Sequence, residues 1–254
     1  MKKKISIGLF GFGKTGKAVA AVLAQHEDVD LKWVVRGSTP ARQRTVNEIL
    51  DIEDASPAMI YSKQEFKDQS ILEEQPVDVL IDFSSQDGIQ HYASEAIRTR
   101  TPIVSAISHY TEKPKQYLDK IAKVTSVLWS PNITIGVNFL IIASRILQKI
   151  APHSDIEIIE EHFKAKPELS GTARKIASAL EIPEEQIKMI RAGGIIGRHE
   201  TLFGFPHQTV RISHESISRE AFGNGALFAA KSILYLAPGL YTMEDILNPY
   251  FSIA

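Results

Sequence analysis

Short and long hydrophobic segments alternate along the first half of the chain. Short runs rich in β-branched residues predict buried strands, and longer segments with apolar residues at helical spacing predict helices. The predicted strands are Ile5 to Phe10, Leu31 to Val35, Val77 to Phe83, Pro102 to Val104 and Ser126 to Trp129. The predicted helices are Gly16 to His26, Gln90 to Arg98 and Lys113 to Lys123. Strands joined by helices of this length favour parallel crossover connections, so the pattern predicts an α/β domain with a doubly wound parallel sheet.

The pattern changes near Pro131. Asn138 to Lys149 is typical of an amphipathic helix, whereas Asp155 to Glu160 and Gln208 to Ser213 alternate polar and apolar residues. Such alternation indicates antiparallel strands with one solvated face. We therefore expect an α+β domain over residues 130–218, inserted into a first domain formed by residues 1–129 and 219–254.

Composition and charge exclude several classes of protein. The chain has 254 residues, 44% of them hydrophobic, with no cysteine. Thiolate nucleophiles, disulfides, iron–sulfur clusters and cysteine zinc sites are excluded, and the spacing of the histidines predicts no metal site. Lys and Arg number 29 against 30 Asp and Glu, which argues against nucleic-acid binding and favours a small-molecule partner. Because no secretory signal and no membrane-spanning run is present, we expect a cytoplasmic protein without membrane association.

A glycine-rich loop follows the first predicted strand. Gly11 to Gly16 fits G-x-G-x-x-G and opens the first predicted helix, which is the context in which this motif binds the pyrophosphate of a dinucleotide in a Rossmann-type domain. The alternative is a packing loop that needs small residues. Arg36 ends the second predicted strand, where an NAD-selective site usually has an acidic residue. We therefore predict NADPH as cofactor, with NADH possible; the alternative is a solvated surface arginine.

A second cluster of polar residues follows the alternating strand at 155–160. His162 and Lys166 precede Ser170-Gly171-Thr172, which begins a predicted helix. Backbone amides and hydroxyls at a helix start favour a carboxylate ligand, and a histidine can hold a proton near neutral pH. The alternative is an ordinary helix cap with solvated neighbours. We expect Glu160, close to a strand end, to be solvated.

Residues 160–172 resemble the E-x-H-H-x-x-K-x-D-x-P-S-G-T signature of the 4-hydroxy-tetrahydrodipicolinate reductase family, also called dihydrodipicolinate reductases. Further matches, in the same order, are the glycine loop, Val79 to Ser84, Pro131-Asn132, Gly136 to Asn138, Arg191 to Gly193, Ile196-Gly197, His199, Ser218-Arg219, Phe222 and Asn224 to Ala226. The resemblance implies NAD(P)H-dependent reduction of 4-hydroxy-tetrahydrodipicolinate to tetrahydrodipicolinate in diaminopimelate and lysine biosynthesis. It also implies that the inserted domain binds this dicarboxylate substrate and forms a homotetramer through its open sheet.

The resemblance also assigns roles to individual residues. His162 would donate the proton and Lys166 would orient or protonate the substrate. The substrate site would comprise Phe163, Ser170, Gly171 and Thr172. The cofactor site would comprise Phe10, Gly11, Phe12, Gly13, Lys14, Thr15, Gly16, Arg36, Ser84, Ala106, Ser108, Ser130, Pro131 and Asn132.

Three departures from the family pattern fall in the predicted sites. Phe163 replaces the second histidine, the segment from Lys166 to Ser170 is one residue shorter, and Ala106 to His109 replace a Gly-Thr-Thr-Gly loop. They leave two alternatives open, a divergent reductase of a related cyclic imine carboxylate and a non-catalytic nucleotide-binding sensor. The presence of His162 and Lys166 argues against the sensor, because a sensor needs no proton donor beside an anion site.

Overall fold

The computed structural model describes residues 3–38, 45–53 and 57–251. They form two compact units. The first comprises the residues up to Ile133 and Phe222–Ile246, and the second comprises Thr134–Ala221 and the residues from Leu247 onward. The sequence predicts that residues 219–254 all belong to the first domain. In the structure the last described residues group with the second unit, where the ring of Phe251 lies 5.3 Å from that of Phe139.

Seven parallel strands form the sheet of the first unit. They are β1 (Ile5–Phe10), β2 (Val29–Arg36), β3 (Met59–Ser62), β4 (Val79–Asp82), β5 (Ile103–Ser105), β6 (Ser126–Trp129) and β11 (Gly239–Tyr241). Their order is β11-β6-β5-β4-β1-β2-β3, and every neighbouring pair is parallel. The order reverses between β1 and β4, which is where ligands bind in open α/β sheets. The predicted Rossmann-type α/β fold class is confirmed.

Buried aromatic side chains anchor β1 where it enters the glycine loop. The ring of Phe10 packs edge-on against Phe66 at 5.0 Å and Tyr92 at 5.1 Å between ring centroids. The helices in the two segments of this unit are α1 (Lys14–Gln25), α2 (Val46–Leu50), α3 (Lys63–Asp68), α4 (Ile71–Glu74), α5 (Ile89–Thr99), α6 (Glu112–Ala122), α9 (Glu220–Ile233) and α10 (Met243–Leu247). Among the described residues, no helix has the length and apolar character needed to cross a membrane.

A four-stranded sheet and two helices form the second unit. The helices are α7 (Ile135–Ile150) and α8 (Gly171–Ala179), and the strands are β7 (Asp155–His162), β8 (Ile187–Arg191), β9 (Arg198–Phe205) and β10 (Gln208–Glu215). The order is β10-β9-β7-β8. The sheet is mixed, because β7 pairs antiparallel with β9 but parallel with β8. Leu140 of α7 and Ile176 of α8 pack on Ile158 of β7, so the two helices cover one face of the sheet.

Candidate active site

The glycine loop has a conformation that depends on its glycines. Gly11 has φ +106°, and a Cβ there would lie 2.5 Å from the carbonyl carbon of Phe83. A Cβ on Gly16 would lie 2.2 Å from the carbonyl oxygen of Gly11, so these two positions exclude a side chain. Gly13, the residue before α1, faces open space. The first turn of α1 contains no acidic residue, so its amide groups and dipole favour an anion.

Two cavities adjoin this loop. The first, of about 400 Å³, is lined by Gly11, Phe12, Gly13, Val35, Arg36, Gly37, Ser38, Lys63, Phe83, Ser84 and Ser85. The second, of about 520 Å³, is lined by Thr15, Phe83, Ser84, Ser85, Gln86, Ala106, Ile107, Ser108, His109, Thr111, Pro131, Ile133 and Phe222. Nine predicted cofactor residues therefore line one cavity or the other: Gly11, Phe12, Gly13, Thr15, Arg36, Ser84, Ala106, Ser108 and Pro131.

The remaining predicted cofactor residues line neither cavity. Phe10 is fully buried beneath the loop, and Lys14 is exposed at the start of α1. Gly16 packs on Gly11. The hydroxyl of Ser130 is buried and donates to the carbonyl oxygen of Asn132 at 2.6 Å, which shapes the segment on either side of Pro131.

The altered loop at Ala106 to His109 is held at its first two residues. The amide of Ala106 donates to the carbonyl oxygen of Asp82 at 2.9 Å. The indole of Trp129 donates to the carbonyl oxygen of Ile107 at 2.8 Å. The loop therefore lines the larger cavity even though its sequence departs from the family pattern.

Asp82 shapes the turn after β4. Its carboxylate accepts from the amide and hydroxyl of Ser84, at 2.8 and 2.6 Å, and from the hydroxyl of Tyr92 at 2.8 Å. Burial raises the pKa of Asp82 to about 6, although its hydrogen bonds act in the opposite direction. Asp82 thus positions Ser84, which lines both cavities.

These features fit a nicotinamide dinucleotide. Side chains are excluded at Gly11 and Gly16, and Gly13 faces open space. This geometry matches a pyrophosphate site, and the two adjoining cavities leave room for the two halves of a dinucleotide. Arg36 lines the smaller cavity at the end of β2, the strand position from which dinucleotide-binding domains contact the adenosine ribose.

The second unit brings four polar side chains to one face of its sheet. His162 of β7 pairs with Arg191 of β8, and Glu160 of β7 pairs with His199 of β9. Because alternate residues of a strand point to the same face, Glu160 and His162 share a face, and their partners on the neighbouring strands share it too. Ile158, two residues further back, belongs to the core beneath α7 and α8. The four polar residues therefore lie on the side that the helices cover.

Glu160 is the centre of this cluster and is fully buried. Its Oε1 accepts from Nη2 of Arg191 at 2.5 Å, and its Oε2 accepts from the amide of Ser170 at 3.1 Å. Nδ1 of His162 lies 3.4 Å from Oε2. Burial would raise the pKa of Glu160, but the hydrogen bonds from Ser170 and Arg191 lower it below its usual value. The expectation of a solvated Glu160 is wrong, because partners distant in sequence stabilise its charge.

His162 is buried at the end of β7. Burial lowers the pKa of His162; Glu160 opposes this shift, whereas the charges of Lys166 and Arg191 add to it. A Cβ on Gly197 would lie 3.1 Å from Nε2 of His162, so the glycine leaves this nitrogen uncovered by a side chain. The imidazole therefore takes up a proton less readily than a free histidine, and a nearby anion would raise its pKa.

Ser170 connects this cluster to α8. Its hydroxyl accepts from the amide of Ala173 at 3.0 Å and so caps the helix, and it also pairs with Nε2 of His199 at 3.0 Å. Gly171, the first residue of α8, is exposed, and the next residue, Thr172, is half-buried. The first turn of α8 contains no acidic residue. The helix start therefore has the properties of an anion site.

Arg191 holds the loop between His162 and Ser170. Its guanidinium donates to the carbonyl oxygens of Lys166 and Glu168, each at 3.0 Å. Lys166 is half-buried, and Phe163 is 44% exposed. The shortened loop thus keeps Lys166 close enough to His162 to lower its pKa.

Sequence reasoning missed three residues of this cluster: Glu160, Arg191 and His199. The alternation of β7 was a usable signal for Glu160, which stands two residues before His162 and so on the same face. Ligand atoms of Glu160, His162 and His199 lie within 4.8 Å of one another, a spacing that a metal ion can bridge. Both oxygens of Glu160, however, already accept hydrogen bonds from Arg191 and Ser170, whereas Nδ1 of His162 and Nδ1 of His199 are buried without a hydrogen-bond partner among the described residues.

Comparisons with known proteins match each of the two units to one part of the same family. The family model for the N-terminus of dihydrodipicolinate reductase matches residues 5–133, and that for its C-terminus matches residues 133–247. A 4-hydroxy-tetrahydrodipicolinate reductase of Caldanaerobacter subterraneus is 35% identical over 67% of this chain and 77% of its own length. That of Thermosipho africanus is 33% identical over 87% of this chain and 100% of its own length.

A solved structure extends the similarity to the fold. The dipicolinate-bound dihydrodipicolinate reductase of Paenisporosarcina sp. TG-14 superposes with a TM-score of 0.77 at 21% identity, covering 96% of this chain and 100% of that one. The two family models together account for nearly all of the described residues. The chain therefore belongs to the dihydrodipicolinate reductase family and is an oxidoreductase.

Proposed function

We propose that this chain reduces 4-hydroxy-tetrahydrodipicolinate to tetrahydrodipicolinate with NADPH and one proton, with loss of the 4-hydroxyl group as water, a step toward diaminopimelate and lysine. One observation carries the proposal: the buried carboxylate of Glu160 lies 3.4 Å from the imidazole of His162 and accepts from the amide of Ser170 at the start of α8. A proton-holding group and an anion-binding helix start are thereby kept at a fixed separation. The shared name of the relatives favours this reaction over the alternatives of a different imine substrate and a sensor.

The start of α8 would hold a carboxylate of the substrate. The amides of Gly171 and Thr172 and the positive end of the helix dipole favour an anion, and Lys166 adds a full positive charge nearby. A substrate with two carboxylates suits this site, because one carboxylate can bind the start of α8 and the other can pair with Lys166. The exposed ring of Phe163 would border the substrate through apolar contact.

His162 would supply the proton. The pKa of the imidazole is lowered by burial and by the charges of Lys166 and Arg191, and a bound dicarboxylate would offset those two charges. The pKa would then rise, so that substrate binding loads the proton donor. Nδ1 of the ring lies on the side of the Glu160 carboxylate, at 3.4 Å, so Nε2, next to Gly197, would be the nitrogen that faces the substrate.

A bound nicotinamide cofactor would supply the hydride that reduces the substrate. The glycine loop would hold its pyrophosphate, and the cavity that Ala106, Ser108 and Pro131 line would receive the nicotinamide end. Arg36 supports a preference for NADPH, because a guanidinium suits a 2′-phosphate.

The test is NADPH oxidation with freshly generated 4-hydroxy-tetrahydrodipicolinate, measured for the wild type and for His162→Asn. We expect the variant to lose roughly 10²- to 10⁴-fold in kcat while it still binds NADP⁺. His153→Asn is the matched control, because His153 is an exposed histidine of the same unit. A wild type that binds NADPH but does not oxidise it with this substrate would refute the proposed reaction.

We also propose that the chain works in the cytoplasm as a homotetramer joined through the uncovered face of the four-stranded sheet. On that face Arg198 pairs with Glu161 at 2.5 Å and with Glu200 at 2.8 Å, and apolar side chains such as Ile190 are partly exposed. Light scattering coupled to gel filtration should give four times the 28.2 kDa mass of the chain. An Ile190→Asp variant should lower the mass.

A further inference from the structure

The smaller cavity of the first unit is lined by Arg36 and Lys63. Arg36 ends β2, and its backbone partner across the β2–β3 ladder is Ser62. Lys63 follows Ser62 directly and opens α3. Because Arg36 and Ser62 are neighbours in the ladder, the side chains of Arg36 and Lys63 reach the same cavity, which Gly11 and the other residues of the glycine loop also line.

Within the part of the chain that the structure describes, neither Arg36 nor Lys63 forms an ion pair, and the charge of Lys63 acts on the buried Asp82 only as the weakest of the influences on its pKa. Glu65, the acidic residue closest to Lys63 in sequence, is turned back in a capping box, where it accepts from the amide of Ser62 at 2.8 Å. Asp82 is fully buried and bound to Ser84 and Tyr92. Among the described residues, those that line the cavity therefore include two cations and no acidic side chain.

We propose that Lys63 is a second ligand for the 2′-phosphate of NADPH and that it acts together with Arg36. The inference rests on the proposed use of NADPH and adds a specificity-determining residue that the glycine motif and the end of β2 do not include. A phosphate monoester carries nearly two negative charges at neutral pH. A planar guanidinium can bind two of its oxygens, and an ammonium group on a flexible chain can bind the third. Both side chains are half-buried, so solvent screens their charges only in part.

Lys67 provides a matched comparison on the same helix. It lies one turn after Lys63, is exposed, and does not line the cavity. Its charge contributes to the same general positive potential, since both lysines lower the pKa of His91, a shift caused mainly by burial. Comparing variants of the two lysines therefore distinguishes a specific phosphate contact by Lys63 from the general positive potential of α3.

The experiment measures direct binding by calorimetry for the wild type, Lys63→Met and Lys67→Met. The probes are 2′,5′-ADP and 5′-AMP, with NADP⁺ and NAD⁺ as the full cofactors. We expect Lys63→Met to weaken 2′,5′-ADP and NADP⁺ roughly five- to twentyfold, and to change 5′-AMP and NAD⁺ less than twofold. Lys67→Met should change all four less than twofold, and both variants should keep the wild-type Tm.

Each other result overturns the inference in a recognisable way. Equal weakening of 2′,5′-ADP and 5′-AMP by Lys63→Met would mean that the lysine does not recognise the 2′-phosphate. An equal effect of Lys67→Met would mean that only the general field matters. In both cases a wild type that binds NADP⁺ and turns over leaves the proposed function intact. A wild type that binds no nicotinamide dinucleotide overturns both proposals together.

Discussion

Replacing Arg191 with methionine removes the cation that stabilises the charge of Glu160. Methionine keeps most of the side-chain volume, so the main change is the loss of the guanidinium. The carboxylate of Glu160 is fully buried, whereas the arginine side chain is 18% exposed. In the variant, Glu160 still accepts a hydrogen bond from the amide of Ser170, at 3.1 Å in the wild type, but this neutral donor cannot replace a full positive charge.

The expected loss of stability follows from this asymmetry. Removing one partner of a buried ion pair costs about 3–5 kcal/mol, because the other charge stays behind without compensation. Since Arg191 is partly solvated in the folded chain, we expect the lower end of that range, about 3 kcal/mol. Glu160→Gln leaves a partly solvated cation behind and should cost about 1–2 kcal/mol. The double variant should be more stable than Arg191→Met alone by about 1–2 kcal/mol, because it contains no buried charge.

The pH dependence supplies a second measure of the same effect. In the wild type, Ser170 and Arg191 hold the pKa of Glu160 below its usual value, so this contribution to stability is present above the unfolded pKa and is lost as the pH falls. Without Arg191 the effect of burial dominates and the pKa of Glu160 rises above its unfolded value. The variant should therefore be closest to the wild type in stability at low pH and lose stability as the pH rises.

Urea unfolding followed by far-UV circular dichroism at pH 5 and pH 8 measures both quantities. Tryptophan fluorescence is less suitable, because Trp33 and Trp129 both belong to the first unit. A destabilisation by Arg191→Met below about 1 kcal/mol, equal at both pH values, would refute the role given to the ion pair.

Three further substitutions test other parts of the structure. Gly11→Ala should cost at least roughly 1–3 kcal/mol and abolish dinucleotide binding measured by calorimetry, because the residue has φ +106° and its Cβ would meet Phe83; Gly194→Ala, at an open position, should change stability by less than about 0.5 kcal/mol. Ser170→Ala should cost about 1 kcal/mol in thermal unfolding through loss of the helix cap, and an unchanged Tm would contradict this. Burial lowers the pKa of His199 from 6.5 to about 3, so its contribution to stability is complete above pH 6.5 and falls by up to about 1.4 kcal/mol per pH unit below that. His199→Gln should flatten this part of the stability curve, and a curve as steep as that of the wild type would be evidence against it.

The fold of the first unit followed from local patterns. Ile5–Phe10 and Ser126–Trp129 are strands with the predicted bounds, because each is a short apolar run that lies inside the sheet. Met59–Ser62 was not predicted. Its residues alternate between exposed and buried at the edge of the sheet, and four residues are too few for that alternation to be distinctive.

The candidate site was predictable only where its residues are adjacent in sequence. The helix start at Ser170 and the position of His162 follow from a continuous segment. The sequence alone predicts a solvated Glu160, because a carboxylate near a strand end usually is exposed. Its burial depends on Arg191, 31 residues away, and on the loop that brings Ser170 back beneath the sheet. Contacts of this kind arise from strand register, which single-sequence periodicity does not contain.

The position of β11 has a consequence for the order in which the two sheets can be completed during synthesis. Strand β11 pairs with β6, and the hydroxyl of Ser126 in β6 donates to the carbonyl oxygen of Ile233, 107 residues later. All four strands of the second unit lie within that interval, since β10 ends at Glu215. During synthesis on a ribosome, all strands of the second unit therefore emerge before the last strand of the first unit, although the first unit begins earlier in the chain. Strand β6 must meanwhile remain an unpaired sheet edge until Gly239–Tyr241 emerge.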